Sequence, residues 1–229
     1  MNWLQRVSCR SFESMFLKNR SGMHPSYLCL MFVAYLCSLS SLIAADLPAD
    51  LLDLTNWKLT LPSDHKKSGK PDEIEQPKLA TFVDHHYFFV DEHRKGLVFR
   101  APCGGATTKG SSFPRCELRA MTADGSDEIE WSTADEKKHR LSMRVAITRT
   151  PAVKKHVVCA QIHDPEDDLL MIRLEEKKLF IERNETGDVS LDRNYRLGTP
   201  FELKIEAGHG RVKVWYDGEQ KLDWKVSRE

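Results

Sequence analysis

The stretch FELKIEAGHGRVKVWYDG, residues 201–218, alternates apolar and polar side chains on both sides of a glycine-rich break. Phe201, Leu203 and Ile205 fall on one face, and Glu202, Lys204 and Glu206 on the other. Successive side chains of a strand point to opposite faces, so a period of two predicts a strand with one buried side. Ala207-Gly208-His209-Gly210 supplies a turn, and Arg211 to Tyr216 returns with Val212 and Val214 inward before Asp217-Gly218. An isolated hairpin is marginal in water, so its apolar face needs further strands and a second layer.

The same pattern recurs outward from this hairpin. Trp57 to Leu61 alternates and stops at Pro62. Tyr87 to Val90 and Leu97 to Arg100 flank a turn at Lys95-Gly96. Leu141 to Ile147, His156 to His163, Leu169 to Leu174 and Lys178 to Glu182 read as further strands. Only Asp50 to Asp53 and Pro77 to Thr81 look helical, and both are short. Short, regularly spaced strands with Gly and Asp-Gly turns predict an all-β fold, a β-jelly roll or concanavalin-like antiparallel sandwich. One face of such a sheet can be buried while the other lines a concave groove.

The first 45 residues differ from the rest. Arg6, Arg10, Lys18 and Arg20 precede an apolar run from Leu28 to Ala45, which ends in small residues before Asp46. This is the layout of a secretory signal, so the expected product is residues 46–229, one jelly-roll domain, periplasmic or secreted and a monomer free of the membrane. An uncleaved anchor is the competing reading, since the run approaches the length of a span. Lys and Arg together number 34, as do Asp and Glu, so no basic field suits nucleic acid. Three cysteines follow residue 45: Cys103, Cys116 and Cys159. An odd count leaves room for one disulfide at most, and Cys116 and Cys159 equally suit a core. No C-x-x-C pair occurs, and the adjacent His85 and His86 face opposite ways on a strand, so no metal site is expected.

Two strands carry candidate chemistry. In SSFPRCELRAM, residues 111–121, alternation puts Arg115, Glu117 and Arg119 on one face and Cys116, Leu118 and Ala120 on the other. A charged strand face is commonly only solvated. Here a long loop rich in Gly and hydroxyl groups, residues 102–110 with Lys109 near its end, leads into the strand, as loops lining ligand sites do. In VVCAQIH, residues 157–163, Val158, Ala160 and Ile162 share one face, and Cys159, Gln161 and His163 the other. Side by side on a concave sheet, these strands would offer two guanidiniums, a carboxylate, an amide and an imidazole. Arg forks match carboxylates, and histidine is the side-chain type that changes charge near neutral pH. That set suits an acidic sugar. Cations and an amide would neutralise a uronate carboxylate, and His163 would take the C5 proton, giving β-elimination. A glycoside hydrolase would need two carboxylates flanking the bond.

These motifs resemble those of the alginate lyases of polysaccharide lyase family 7. RCELR is similar to the family's R-(S/T)-E-L-R, with Cys116 in place of the hydroxyl, and QIH to its Q-(I/V)-H. NWKLTLP at 56–62 and TTKGSSFPR at 107–115 are similar to flanking segments. The resemblance implies a jelly roll that binds alginate in its concave sheet, with no metal or organic cofactor. It implies Arg115 and Gln161 as carboxylate neutralisers, His163 in proton abstraction, and Arg119, Glu117 and Lys109 as substrate-binding groups. The family's third motif, Y-F-K-x-G-x-Y-x-Q, has no counterpart after Tyr216. The sequence therefore predicts a sheet short of its last strand, with an unpaired edge or gap. It also leaves a second reading, an alginate-binding jelly roll with weak or no catalysis.

Overall fold

The computed structural model describes residues 2–5, 47–93, 95–163 and 168–226. Most of the expected leader and residues 164–167 lie outside the described residues.

The opening hairpin forms as expected. β12 (Phe201–Gly208) and β13 (Arg211–Tyr216), numbered in chain order among the fourteen strands of the described residues, pair with Leu203 opposite Tyr216 and Ile205 opposite Val214. Phe201, Leu203, Ile205, Val212 and Val214 are all buried. Gly208 closes β12 at a φ of 149°, and a Cβ there would meet the Lys137 carbonyl oxygen at 2.8 Å, so the turn requires glycine. β7 (His139–Val145) pairs with β12, and β14 (Glu219–Lys225) pairs with β13, giving a four-stranded antiparallel sheet in the order β14-β13-β12-β7. β14 escapes sequence reading because it is an edge strand in which only Leu222 is fully inward.

The second sheet holds eight strands: β11 (Val189–Asp192), β10 (Lys178–Glu182), β9 (Asp168–Glu175), β8 (His156–His163), β1 (Asn2–Gln5), β6 (Glu117–Ala120), β2 (Trp57–Thr60) and β3 (Glu73–Ile74), in that spatial order. One core, including Ile162, Leu170, Ile172, Leu174, Leu179 and Ile181, fills the space between β8–β11 and the four-stranded sheet. A second core, with Leu59, Leu118, Cys116 and Ile74, lies under β2, β3 and β6. It is closed by the hairpin of β4 (Phe88–Val90) and β5 (Leu97–Phe99) and by the 3-10 turns Pro48–Asp50 and Lys78–Thr81, near the two short helical segments expected. Leu118 is fully buried directly beneath the polar side of β6, and its truncation to alanine costs about 2–5 kcal/mol.

Two expectations are corrected. Cys159 does not face the groove. A β-bulge between Val158 and Ala160 puts both Cys159 and Ala160 in the core and leaves Val158 opposite Arg173. The extra residue resets the alternation, which a strict period of two cannot anticipate. The anticipated gap in the sheet is also filled. Asn2–Gln5, from within the expected leader, lies antiparallel to both β6 and β8. The RCELR and QIH strands thus share a sheet but stand one strand apart rather than side by side. Among the described residues no disulfide joins Cys103, Cys116 and Cys159 to one another.

Candidate active site

The groove floor is the non-core face of the eight-stranded sheet. Leu4 stands in register with both Arg119 and Gln161, so these two lie level across β1, about 10 Å apart at ordinary strand spacing. Lys58 pairs with Arg119 on the far side, and Met171 with Gln161. Lys58, Arg119, Gln161 and Met171 therefore form one row across the sheet. His163 lies two residues beyond Gln161 on the same face, with Nε2 3.9 Å from Asp168 Oδ1. β6 begins at Glu117, so Arg115 enters from the preceding loop, displaced along the groove from the Arg119–Gln161 row.

The two arginines do not share Glu117. Arg115 Nη1 donates to Glu117 Oε1 at 3.2 Å, and its Nη2 donates to Ser111 Oγ at 3.0 Å. Arg119 Nη1 donates to Glu128 Oε2 at 2.5 Å. Glu128 Oε1 accepts from Lys58 Nζ at 3.1 Å, and Lys58 Nζ also lies 3.1 Å from Glu73 Oε1. Each guanidinium thus has its own carboxylate, and the floor carries alternating charge rather than a net cationic patch. Burial would push the Glu128 carboxyl up, but Arg119 and Lys58 together hold it below the usual range. Burial likewise opposes the charge on Lys58, and Glu128 and Glu73 overcome it, leaving the ammonium raised above the ordinary lysine value.

The loop before β6 is built to deliver Arg115. Ala106 N donates to the Pro62 carbonyl at 2.8 Å, and Gly105 permits that approach, since a Cβ there would meet the same oxygen at 2.7 Å. Ser111 then accepts from both Phe113 N and Arg115. The loop reaches across to β8, where the exposed Phe113 ring meets His156 edge-on at 5.3 Å with Lys154 Nζ 4.9 Å above it. His156 touches Arg173, whose fork is held by Glu182 and Glu175. Burial, then the Arg173 charge, push the His156 imidazole below its usual value. A hollow of about 610 Å³, lined by Phe180 and Ser190 with the cations Lys178 and Arg193 and the carboxylates Glu175, Glu176 and Asp188, lies over β10 and β11.

Of the residues expected from sequence, Arg115, Glu117, Arg119, Gln161 and His163 are gathered on this one face. Lys109 is exposed in a turn, and among the described residues no hydrogen bond or ion pair joins it to the other five. Lys58, Glu73 and Glu128 were not anticipated. Alternation in WKLTL could have put Lys58 on the groove side, whereas Glu128 sits in an irregular segment without any period. Among the described residues no cluster of three or more His, Cys, Asp or Glu side chains is arranged to hold a metal ion.

The family described as "Alginate lyase" matches residues 52–229. The chain belongs to the alginate lyase family. Its fold agrees with a solved polysaccharide lyase family 7 alginate lyase, AlgAT5, at 48% identity and a TM-score of 0.75, covering 80% of this chain and 82% of that one. The solved alginate lyase of Corynebacterium sp. is 42% identical with the same TM-score of 0.75, again covering 80% and 82% of the two chains. A curated alginate lyase of Klebsiella pneumoniae is 35% identical over 111 residues, which span 48% of this chain and 34% of that protein. The match therefore spans about a third of the curated relative's length. Family membership and the β-jelly roll agree with the expectation drawn from RCELR and QIH.

Proposed function

We propose that this chain cleaves alginate, the 1,4-linked polymer of mannuronate and guluronate, by β-elimination. The observation that carries the reading is the Arg119–Gln161 row with His163 beside it on one groove floor, in a chain of the alginate lyase family. Arg115 and Gln161 neutralise the uronate carboxylate, and Arg119 binds the sugar acid beside them. As the C5 proton leaves, negative charge builds on that carboxylate, and donors placed in advance stabilise it; losing one such donor typically costs on the order of 10²–10³ in rate. His163 accepts the C5 proton. The C5–H electrons form the C4–C5 double bond, the C4–O bond breaks, and the departing oxygen takes a proton from water. Glu117 holds Arg115, and Lys109 adds a cation from the loop above. Residues 1–45 act as an export signal, which suits a polymer met outside the cell, and the row described above belongs to the chain that still carries it.

The test is incubation of purified protein with alginate. New ultraviolet absorbance from the unsaturated sugar end, with retardation in alginate-containing gels, is the expected result. Retardation without new absorbance would leave a binding protein and overturn the catalytic reading.

A further inference from the structure

Arg119 is anchored on the groove floor by groups that lie outside RCELR and QIH. Its Nη1 is held by one oxygen of Glu128, whose other oxygen holds Lys58, which in turn reaches Glu73. The Lys58 side chain is 10% exposed and that of Arg119 19%. An ammonium so enclosed needs its carboxylates, and a guanidinium so enclosed has little room to turn. Glu128 is itself fixed to the end of β6. Met121 bridges to Glu128, Ile129 N donates to the Ala120 carbonyl at 3.1 Å, and Thr122 N donates to the Asp127 carbonyl at 2.8 Å. Thr122 Oγ1 and Ser126 Oγ both donate to Asp124 and tighten the intervening turn. The short connection from Ala120 to Glu128 thus folds the carboxylate back over the strand that carries Arg119.

We propose that Glu128 and Lys58 are positioning residues that hold Arg119 for the sugar carboxylate. This rests on the reading of the floor as a uronate site. A guanidinium has five N–H donors in a rigid fork. Glu128 engages it through Nη1, so the fork is fixed in direction while further donors remain for a carboxylate level with Gln161. Lys58 keeps Glu128 ionised and fixes its second oxygen. Neither residue touches the sugar. They act through Arg119, so their effect belongs in substrate affinity and disappears when Arg119 is removed.

The experiment is a double-mutant cycle with Glu128→Gln and Arg119→Ala, read as KM and kcat on alginate. Groups coupled through one network are strongly non-additive, so Glu128→Gln should raise KM roughly tenfold with kcat changed less than about threefold, and should add nothing in the Arg119→Ala background. Glu128→Asp, which keeps the charge and shortens the reach, should recover part of the loss, and it carries the test if Glu128→Gln does not fold. Lys58→Met should give a smaller KM rise of the same kind. Retardation in alginate gels gives the same comparison if turnover is slow. An unchanged KM and retardation for Glu128→Gln, or effects that multiply independently with Arg119→Ala, overturn the inference alone. A parent chain that neither cleaves nor binds alginate overturns the functional reading and this inference with it.

Discussion

His163 ends β8 two residues past Gln161, beyond the bulge at Cys159 and a second register shift between Ile162 and His163. The reading gives His163 the proton-abstracting role, and positioned proton transfer contributes about 10²–10⁴ in rate. His163→Ala should therefore lower kcat by about that factor while gel retardation by alginate persists. Unchanged turnover would remove His163 from the mechanism. Arg115, Glu117, Arg119, Gln161 and His163 could all be found from sequence, because a strand's alternation fixes which side chains share a face. Their ionic partners could not be found so easily. RCELR suggests one glutamate serving two arginines, but Arg119 turns to Glu128, nine residues on. Glu128 lies in a turn, where backbone direction, not periodicity, decides what a side chain meets. Lys58 was visible only as the one charged residue in WKLTL.

Strands with strong alternation were legible almost to the residue, as β8, β10 and β13 show. Those with a weak pattern, such as β14 and the two-residue β3, were not. The least legible element is β1, because nothing in Asn2–Gln5 distinguishes it from the leader around it. It occupies the slot between the two strands that carry the site, and its backbone completes both ladders. Proline cannot donate to a ladder and is excluded from central strands. In the full chain, Leu4→Pro should therefore loosen β1 and lower the hydrogen-exchange protection of amides in both β6 and β8. Undiminished protection in both strands would mean that β1 contributes nothing to the floor. Cleavage of the proposed leader would have the same consequence as Leu4→Pro, since it removes β1 and unpairs the facing edges of β6 and β8.

The described residues form two large sheets and the small β4–β5 hairpin, with the groove on the outer face of one large sheet and a separate charge network on the outer face of the other. There Glu206 accepts from Arg140 and lies 3.0 Å from Lys138 Nζ, and these partners lower its carboxyl to about 2 despite burial. A carboxyl with a lowered folded-state value adds stability that is complete above the ordinary glutamate range and is lost as pH falls through about 2. Arg140 and Lys138 are 54% and 51% exposed, so screening limits the contribution. Glu206→Gln should lower Tm at neutral pH by about 2–4 °C, on the order of 1 kcal/mol, with the difference from the parent vanishing toward pH 2. An equal difference at both pH values would contradict that role. The sandwich and its groove followed from the period of two repeated along the chain. The closure of the floor by β1 did not, because it joins segments more than a hundred residues apart. The most direct test of the central claim is mass spectrometry of the oligosaccharides released from alginate by the purified chain. Elimination predicts products each lacking one water relative to the hydrolysed oligosaccharide, with a C4–C5 double bond at the new end. Saturated products carrying that water would mean hydrolysis and would contradict the account.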